Sequence, residues 1–199
     1  MNFPALNNKI SNEDTSMLSP LPKLDLIDQL AAVQPGGATH LLRHRRDKVA
    51  LATQGSYDGL FDAALLGITL RERLQVSLFA CRLSNAEGLA AHYRSRLHEL
   101  STDNFGDSDT QALIETGARA ELASLADPRL RAMLHFTRTL ILTPVEGDQA
   151  ALLALPVAGL STAAVVALAQ LVAFLSYQIR LVSGLAALQA AHQQRASKD

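Results

Sequence analysis

The sequence predicts an all-α domain, and three observations carry that expectation. Leu and Ala dominate a chain that is 48% hydrophobic but only 5% aromatic, with no Trp. Such residues form helices well, whereas the β-branched and aromatic residues that favour strands are sparse. Apolar residues recur three and four apart in segment after segment, the spacing of one helical face. Helix-start signatures also punctuate the chain: Thr69 with Glu72 and Ser84 with Glu87 fit capping boxes, and Asp127 stands before Pro128 as a cap before a first-turn proline. No alternating strand pattern and no internal repeat competes with this reading.

Taken in order, residues 1–20 are rich in Asn, Ser and Pro and read as a flexible arm; 21–199 read as one helical domain. Lys23–Gln34 predicts a short amphipathic helix on Leu24, Ile27, Leu30 and Ala31, stopped by Pro35-Gly36-Gly37. Thr39–Ala52 predicts a second, with Arg43, His44, Arg45, Arg46, Asp47 and Lys48 as a solvated face. Gln54-Gly55-Ser56 reads as a turn, with Ser56 capping a short helix through Leu65. Thr69–Leu100 predicts two helices meeting at a tight junction. Leu70, Leu74, Leu78 and Cys81 line the first; Leu89, His92, Tyr93, Arg96 and Leu100 follow helical spacing on the second. After the acidic loop Ser101–Asp109, a helix runs from Asp109 or Thr110 to about Leu125, and another over Pro128–Leu142, ended by Pro144. Gln149–Leu155 predicts a short helix, Pro156–Leu160 a break, and Ser161 the cap of a long helix ending near Gln193.

Composition excludes several classes of function. A net charge of −1 offers no electrostatic case for nucleic acid. A single cysteine excludes an internal disulfide and any Cys₄ or Cys₃His zinc site, and suits a reduced, cytoplasmic protein. The N-terminus lacks the basic start and apolar run of a signal peptide. Gln149–Ile179 carries no charge and is long enough to span a bilayer. Pro156, Gly159, Ser161 and Thr162 break it, however, and it runs straight into Arg180, which predicts a buried core helix of a soluble homo-oligomer without membrane partners.

Asn85-Ala-Glu-Gly88-Leu-Ala-Ala-His92 matches the Cys-x-x-Cys-x-x-x-His frame of the alkylhydroperoxidase D-like, or carboxymuconolactone decarboxylase, family. Residues 127–138 (DPRLRAMLHFTR) resemble that family's following helix, and Ala158-Gly159-Leu160-Ser161 the opening of its next one. Ala169–Ala187, including Tyr177-Gln178-Ile179-Arg180, resembles its closing helix. The resemblance covers about residues 60–188. Leu26–Gly37 and Gln54-Gly55-Ser56-Tyr57 are similar to the extension of one branch of carboxymuconolactone-decarboxylase-domain proteins. The resemblance implies an alkylhydroperoxidase D-like helical bundle. It also implies loss of the family's dithiol chemistry: Asn85 and Gly88 fill both cysteine positions, and Arg73, or Leu74 with a one-residue gap, stands where redox members carry a Glu.

Few residues remain as candidates for chemistry. Cys81 lies near the C-terminal end of its helix, where the negative dipole end disfavours a thiolate; it reads as a buried core thiol, or else as a one-Cys peroxidase centre. His92 matches the family's proton-relay histidine and can act as a general base. Asn85, Gly88, Tyr177 and Arg180 are candidates for a ligand pocket against the His92 helix. His98 is six residues on, roughly 240° round the helix from His92, so the two do not share a metal. His40 and His44, spaced i, i+4, suit a divalent ion, but no acidic residue stands with them in sequence and Arg43, Arg45 and Arg46 crowd them. Neither a metal nor a cofactor is expected. The functional expectation is a family member without dithiol peroxidase activity that binds a small ligand or a partner protein. The alternative is a peroxidase-related enzyme using Cys81, or acid–base catalysis through His92.

Overall fold

The computed structural model describes residues 25–100 and 108–197. The proposed arm at 1–20, the start of the first predicted helix and most of the acidic loop fall outside them. The described residues contain helices and no strand. In chain order the helices are α1 (Leu26–Leu30), α2 (Ala38–Arg43), α3 (Asp47–Leu60), α4 (Leu70–Leu83), α5 (Glu87–Leu100), α6 (Ser108–Glu115), α7 (Pro128–Leu142), α8 (Gln149–Val157) and α9 (Thr162–Ala196).

Helix α4 is the centre of the bundle, packed against α5, α6, α7 and α9. Every residue from Arg73 to Cys81 is buried, so its expected apolar stripe is only part of a helix enclosed on all sides. Its start is the capping box read from the sequence: Thr69 Oγ1 accepts from Glu72 N at 3.2 Å, and Glu72 Oε2 accepts from Thr69 N at 2.7 Å. Glu72 has a second partner. Arg129, in the first turn of α7, donates to Glu72 Oε1 at 2.6 Å, to Gly67 O at 2.6 Å and to Gly159 O at 3.1 Å. One guanidinium thereby ties the starts of α4 and α7 to the α8–α9 connection.

The α4–α5 junction differs from the expectation. Ser84 ends α4 rather than starting α5. Asn85 takes φ +53°, and the amides of Asn85 and Ala86 bond back to Arg82 O and Cys81 O at 3.4 and 2.9 Å. This is a Schellman end with Asn at the left-handed position, a site that Asn tolerates better than other side-chain-bearing residues. Glu87 pairs with Arg82 instead of Ser84.

Other boundaries move as well: α1 stops at Leu30, short of Gln34, α3 stops at Leu60, short of Leu65, and α8 continues through Pro156 to Val157. Thr39–Ala52 is not one helix, because α2 stops at Arg43 and a 3₁₀ turn, His44–Arg46, leads into α3. The break lets Arg43 turn inward, where Nη1 meets Asp25 at 2.8 Å and Asp28 at 3.1 Å, so this residue leaves the expected solvated face while Arg45, Arg46 and Lys48 stay on it. Helix α3 runs straight through the expected Gln54-Gly55-Ser56 turn. Ser56 Oγ donates to Ala52 O within the helix at 2.8 Å, Thr53 is buried, and Gln54 Oε1 accepts from Leu26 N at 3.0 Å. Tertiary contacts on one face outweigh the turn propensity of Gly and Ser. Helix α6 ends at Glu115, well short of Leu125; Gly117 follows at φ +59°, and a Cβ there would stand 3.1 Å from Arg82 O. The Asp127 cap and the α7 bounds are as expected.

Helix α9 is continuous for 35 residues from its Ser161 cap, past the expected end at Gln193. By length and composition it could cross a membrane. Here Ala164, Leu168, Leu171, Leu175, Gln178 and Val182 make a seam at alternating four- and three-residue steps, buried with Val172 and Ile179. That seam packs on α4, with α1, α2, α7 and α8 alongside.

Candidate functional site

Two i, i+4 pairs face each other across α3 and α5: Tyr57 with Phe61, and His92 with Arg96. The Tyr57 and Phe61 rings lie 4.9 Å apart, and Phe61 packs on the buried Tyr93 at 5.3 Å. The Arg96 guanidinium lies over both α3 rings, 5.6 Å from Tyr57 and 5.1 Å from Phe61. Its Nη1 donates to Tyr57 Oη at 2.7 Å, and Tyr57 Oη stands 2.7 Å from His92 Nε2. Arginine can only donate, so the tyrosine oxygen is the acceptor from Arg96; towards His92 Nε2 it can give its own hydrogen or accept at its second lone pair, according to the imidazole tautomer.

The electrostatics favour a neutral imidazole and a protonated phenol. Burial, and then the Arg96 charge, push His92 below its ordinary value of 6.5. Burial pushes the Tyr57 phenol up, against the opposing pull of Arg96. Moving the proton from Tyr57 to His92 opposes both shifts. The chain Arg96–Tyr57–His92 is thus a set hydrogen-bonding wall at neutral pH rather than a charge-separated acid–base pair.

Tyr57 and His92 line a cavity of about 720 Å³. Its other walls include Gln54, Asp58, Leu51, Asp47, His44 and Asp25. Gln54 Nε2 donates to Asp58 Oδ1 at 2.8 Å, fixing that carboxylate. The volume falls within the usual range for small-molecule sites.

Among the candidate catalytic and ligand-pocket residues from the sequence, only His92 reaches this cavity, where His44 of the His40–His44 pair joins it. Cys81 is fully buried in the core, 0% exposed, and burial pushes its thiol up to about 12. Asn85 and Gly88 are exposed and off the cavity wall; no neighbouring atom lies within 4 Å of where a Gly88 Cβ would stand, so close packing does not explain that glycine. Tyr177 is 43% exposed and bonds Thr53 Oγ1 at 3.0 Å. Arg180 is exposed and donates to Ser176 O of its own helix at 3.2 Å. Neither Tyr177 nor Arg180 meets His92. Arg73, at the position of the family's Glu, is buried and donates to Leu60 O at 2.6 Å, so it offers no proton acceptor. The residue missed is Tyr57, whose i, i+4 spacing from Phe61 was visible in the helix expected after Ser56 but gave no sign that it would meet His92, 35 residues on. No protein-family model matches this chain, and no curated protein matches it either.

Proposed function

We propose that this chain is a non-redox protein of the alkylhydroperoxidase D-like, or carboxymuconolactone decarboxylase, type that binds a small polar molecule in the α1–α3–α5 cavity. The observation carrying this reading is the Tyr57–His92 pair on the wall of a cavity of about 720 Å³, backed by Arg96 behind Tyr57, with the thiol of Cys81 withdrawn from it. A thiol raised to about 12 supplies almost no thiolate at neutral pH, and the thiolate is the nucleophile a peroxidase needs. The raised phenol and lowered imidazole support recognition over proton transfer, since both shifts resist the charged pair. Asp47 and Asp58 add carboxylates to the wall, which disfavours anionic ligands; the fitting class is a neutral or cationic compound with hydroxyl or carbonyl groups. Homo-oligomer formation in the cytoplasm belongs to the same proposal, with exposed Leu41, Leu51, Leu66, Val145 and Val157 as apolar surface for association.

The test pairs a binding screen with an activity assay. A set of small alcohols, ketones, amines and carboxylates is screened by thermal shift and by NMR of the His92 ring. Neutral or cationic hits should move the His92 signals, and Tyr57→Phe should weaken them. Cumene hydroperoxide with a dithiol reductant should not be consumed. Consumption abolished by Cys81→Ser, or a screen in which no compound perturbs His92, would overturn the reading.

A further inference from the structure

The hairpin of α1 and α2 brings together three donors that the sequence keeps apart. Asp28 on α1 is 1% exposed, and His40 on α2 is 9% exposed. With His44 of the adjoining turn they present one ligand atom each, all within 4.8 Å of one another. The sequence showed the i, i+4 histidines but no acidic neighbour; folding supplies it from twelve residues upstream of His40.

Two side-chain atoms at the cluster, His40 Nδ1 and Arg43 Nη2, are buried without a hydrogen-bond partner, and Asp28 Oδ1 has only its ion pair with Arg43 Nη1 at 3.1 Å. Buried polar groups are nearly always paired, so a concentration of orphans marks a place where an ion or water completes the chemistry. His44 Nε2 stands 2.8 Å from Asp28 Oδ2 and 3.2 Å from Arg43 Nη1, which itself is held by Asp25 and Asp28. An ion bound between Asp28 and His44 would receive lone pairs from both and take the position beside His44 that the guanidinium holds.

We propose that Asp28, His40 and His44 form a binding site for a divalent transition-metal ion. Two imidazoles and a carboxylate are a ligand set found for Zn²⁺ and related ions, and imidazole selects against Mg²⁺ and Ca²⁺. Donors around a tetrahedral ion of this kind stand about 3.4 Å apart, so the 2.8 Å His44–Asp28 pair opens slightly and His40 closes in. His44 Nδ1 already faces Asp47 Oδ1 at 3.4 Å, the carboxylate partner that commonly orients a metal-bound imidazole. Charge agrees as well. Of the charged groups in contact with the cluster, the carboxylates of Asp25, Asp28 and Asp47 outnumber the one cation, Arg43, while Arg45 and Arg46 lie exposed beside it. Arg43 keeps its 2.8 Å contact with Asp25 when it yields the position beside His44. His44 and Asp47 also line the large cavity, which gives the ion a path from solvent.

Chelator-treated full-length protein, titrated with Co²⁺, should bind one equivalent with visible ligand-field bands, and Zn²⁺ should displace it. His40→Gln and His44→Gln should each weaken Co²⁺ binding about 100-fold, and Asp47→Asn about 10-fold. His98→Gln, on the exposed end of α5, should leave it unchanged. NMR of the unaltered protein guards against a folding artefact, since Zn²⁺ should shift the His40 and His44 ring signals together. Absence of stoichiometric Co²⁺ binding, or binding that leaves those ring signals unmoved, would overturn the proposal.

Discussion

His92 is held neutral by two effects acting in the same direction, burial and the Arg96 charge. The unfolded chain titrates near 6.5 and the folded one lower, so between those values the unfolded state holds the extra proton. This residue's contribution to stability is therefore level above about pH 6.5 and falls as pH drops from there towards the folded value. His135 shifts the same way, through burial, Arg138 and Arg131, so a bulk pH–stability curve mixes the two and site-resolved NMR is needed. The His92 midpoint should lie below 6.5 and should rise in Arg96→Gln. A midpoint at or above 6.5 in the native protein would mean that the imidazole is not buried beside the Arg96 charge. Cys81 gives a second expectation at this scale. A soluble thiol reagent should label it only as fast as the native fold opens, and rapidly in denaturant, because the thiol is fully enclosed and raised to about 12. Fast labelling of native protein at pH 7 would show that it is accessible and acidic.

At the scale of the element, the α4–α5 junction turns on one backbone conformation. Asn85 sits at φ +53°, where a Cβ costs about 1–2 kcal/mol for most residues. Asn85→Gly should leave stability unchanged or slightly higher, whereas Asn85→Val should lose about 1–2 kcal/mol in urea unfolding. Equal stability for the two variants would mean that the Schellman end is not held in solution. The Ser84–Glu87 pattern shows why such junctions mislead. Ser-x-x-Glu suits a helix start, but here the serine closes one helix and the Glu turns back to Arg82. Thr69–Glu72 has the same pattern and does form a box. What separates them is the left-handed residue after Ser84, for which a single Asn is a weak local signal.

At the scale of the whole molecule, α9 is the long wall against which α4 closes. Val172 on its inner face is 2% exposed. Val172→Asp buries a charge with no partner, so the domain should lose about 3–5 kcal/mol, enough to lower Tm sharply or prevent folding. Circular dichroism melting checks this, with Val166→Asp, on the exposed side of α9, as the control that should melt like the native protein. An unchanged melt for Val172→Asp would mean that α9 does not pack through this face.

How much of this was legible beforehand follows from range. The all-α class, the Thr69–Glu72 box, the Asp127-Pro128 start and the Ser161 cap depend on neighbours a few residues apart, and the sequence alone determined them, whereas the break expected from Pro156 begins only after Val157. So did the burial of Cys81, which follows helical spacing. The run of α3 through Gly55-Ser56 was decided only in three dimensions, because contacts with Leu26 and Tyr177 outweigh local turn propensity. His92 could be named from its position in a motif. Its meeting with Tyr57, 35 residues away, could not, and neither could the meeting of Asp28 with His40 and His44. Such encounters depend on how helices pack against one another, and short-range spacing carries no information about which faces will meet.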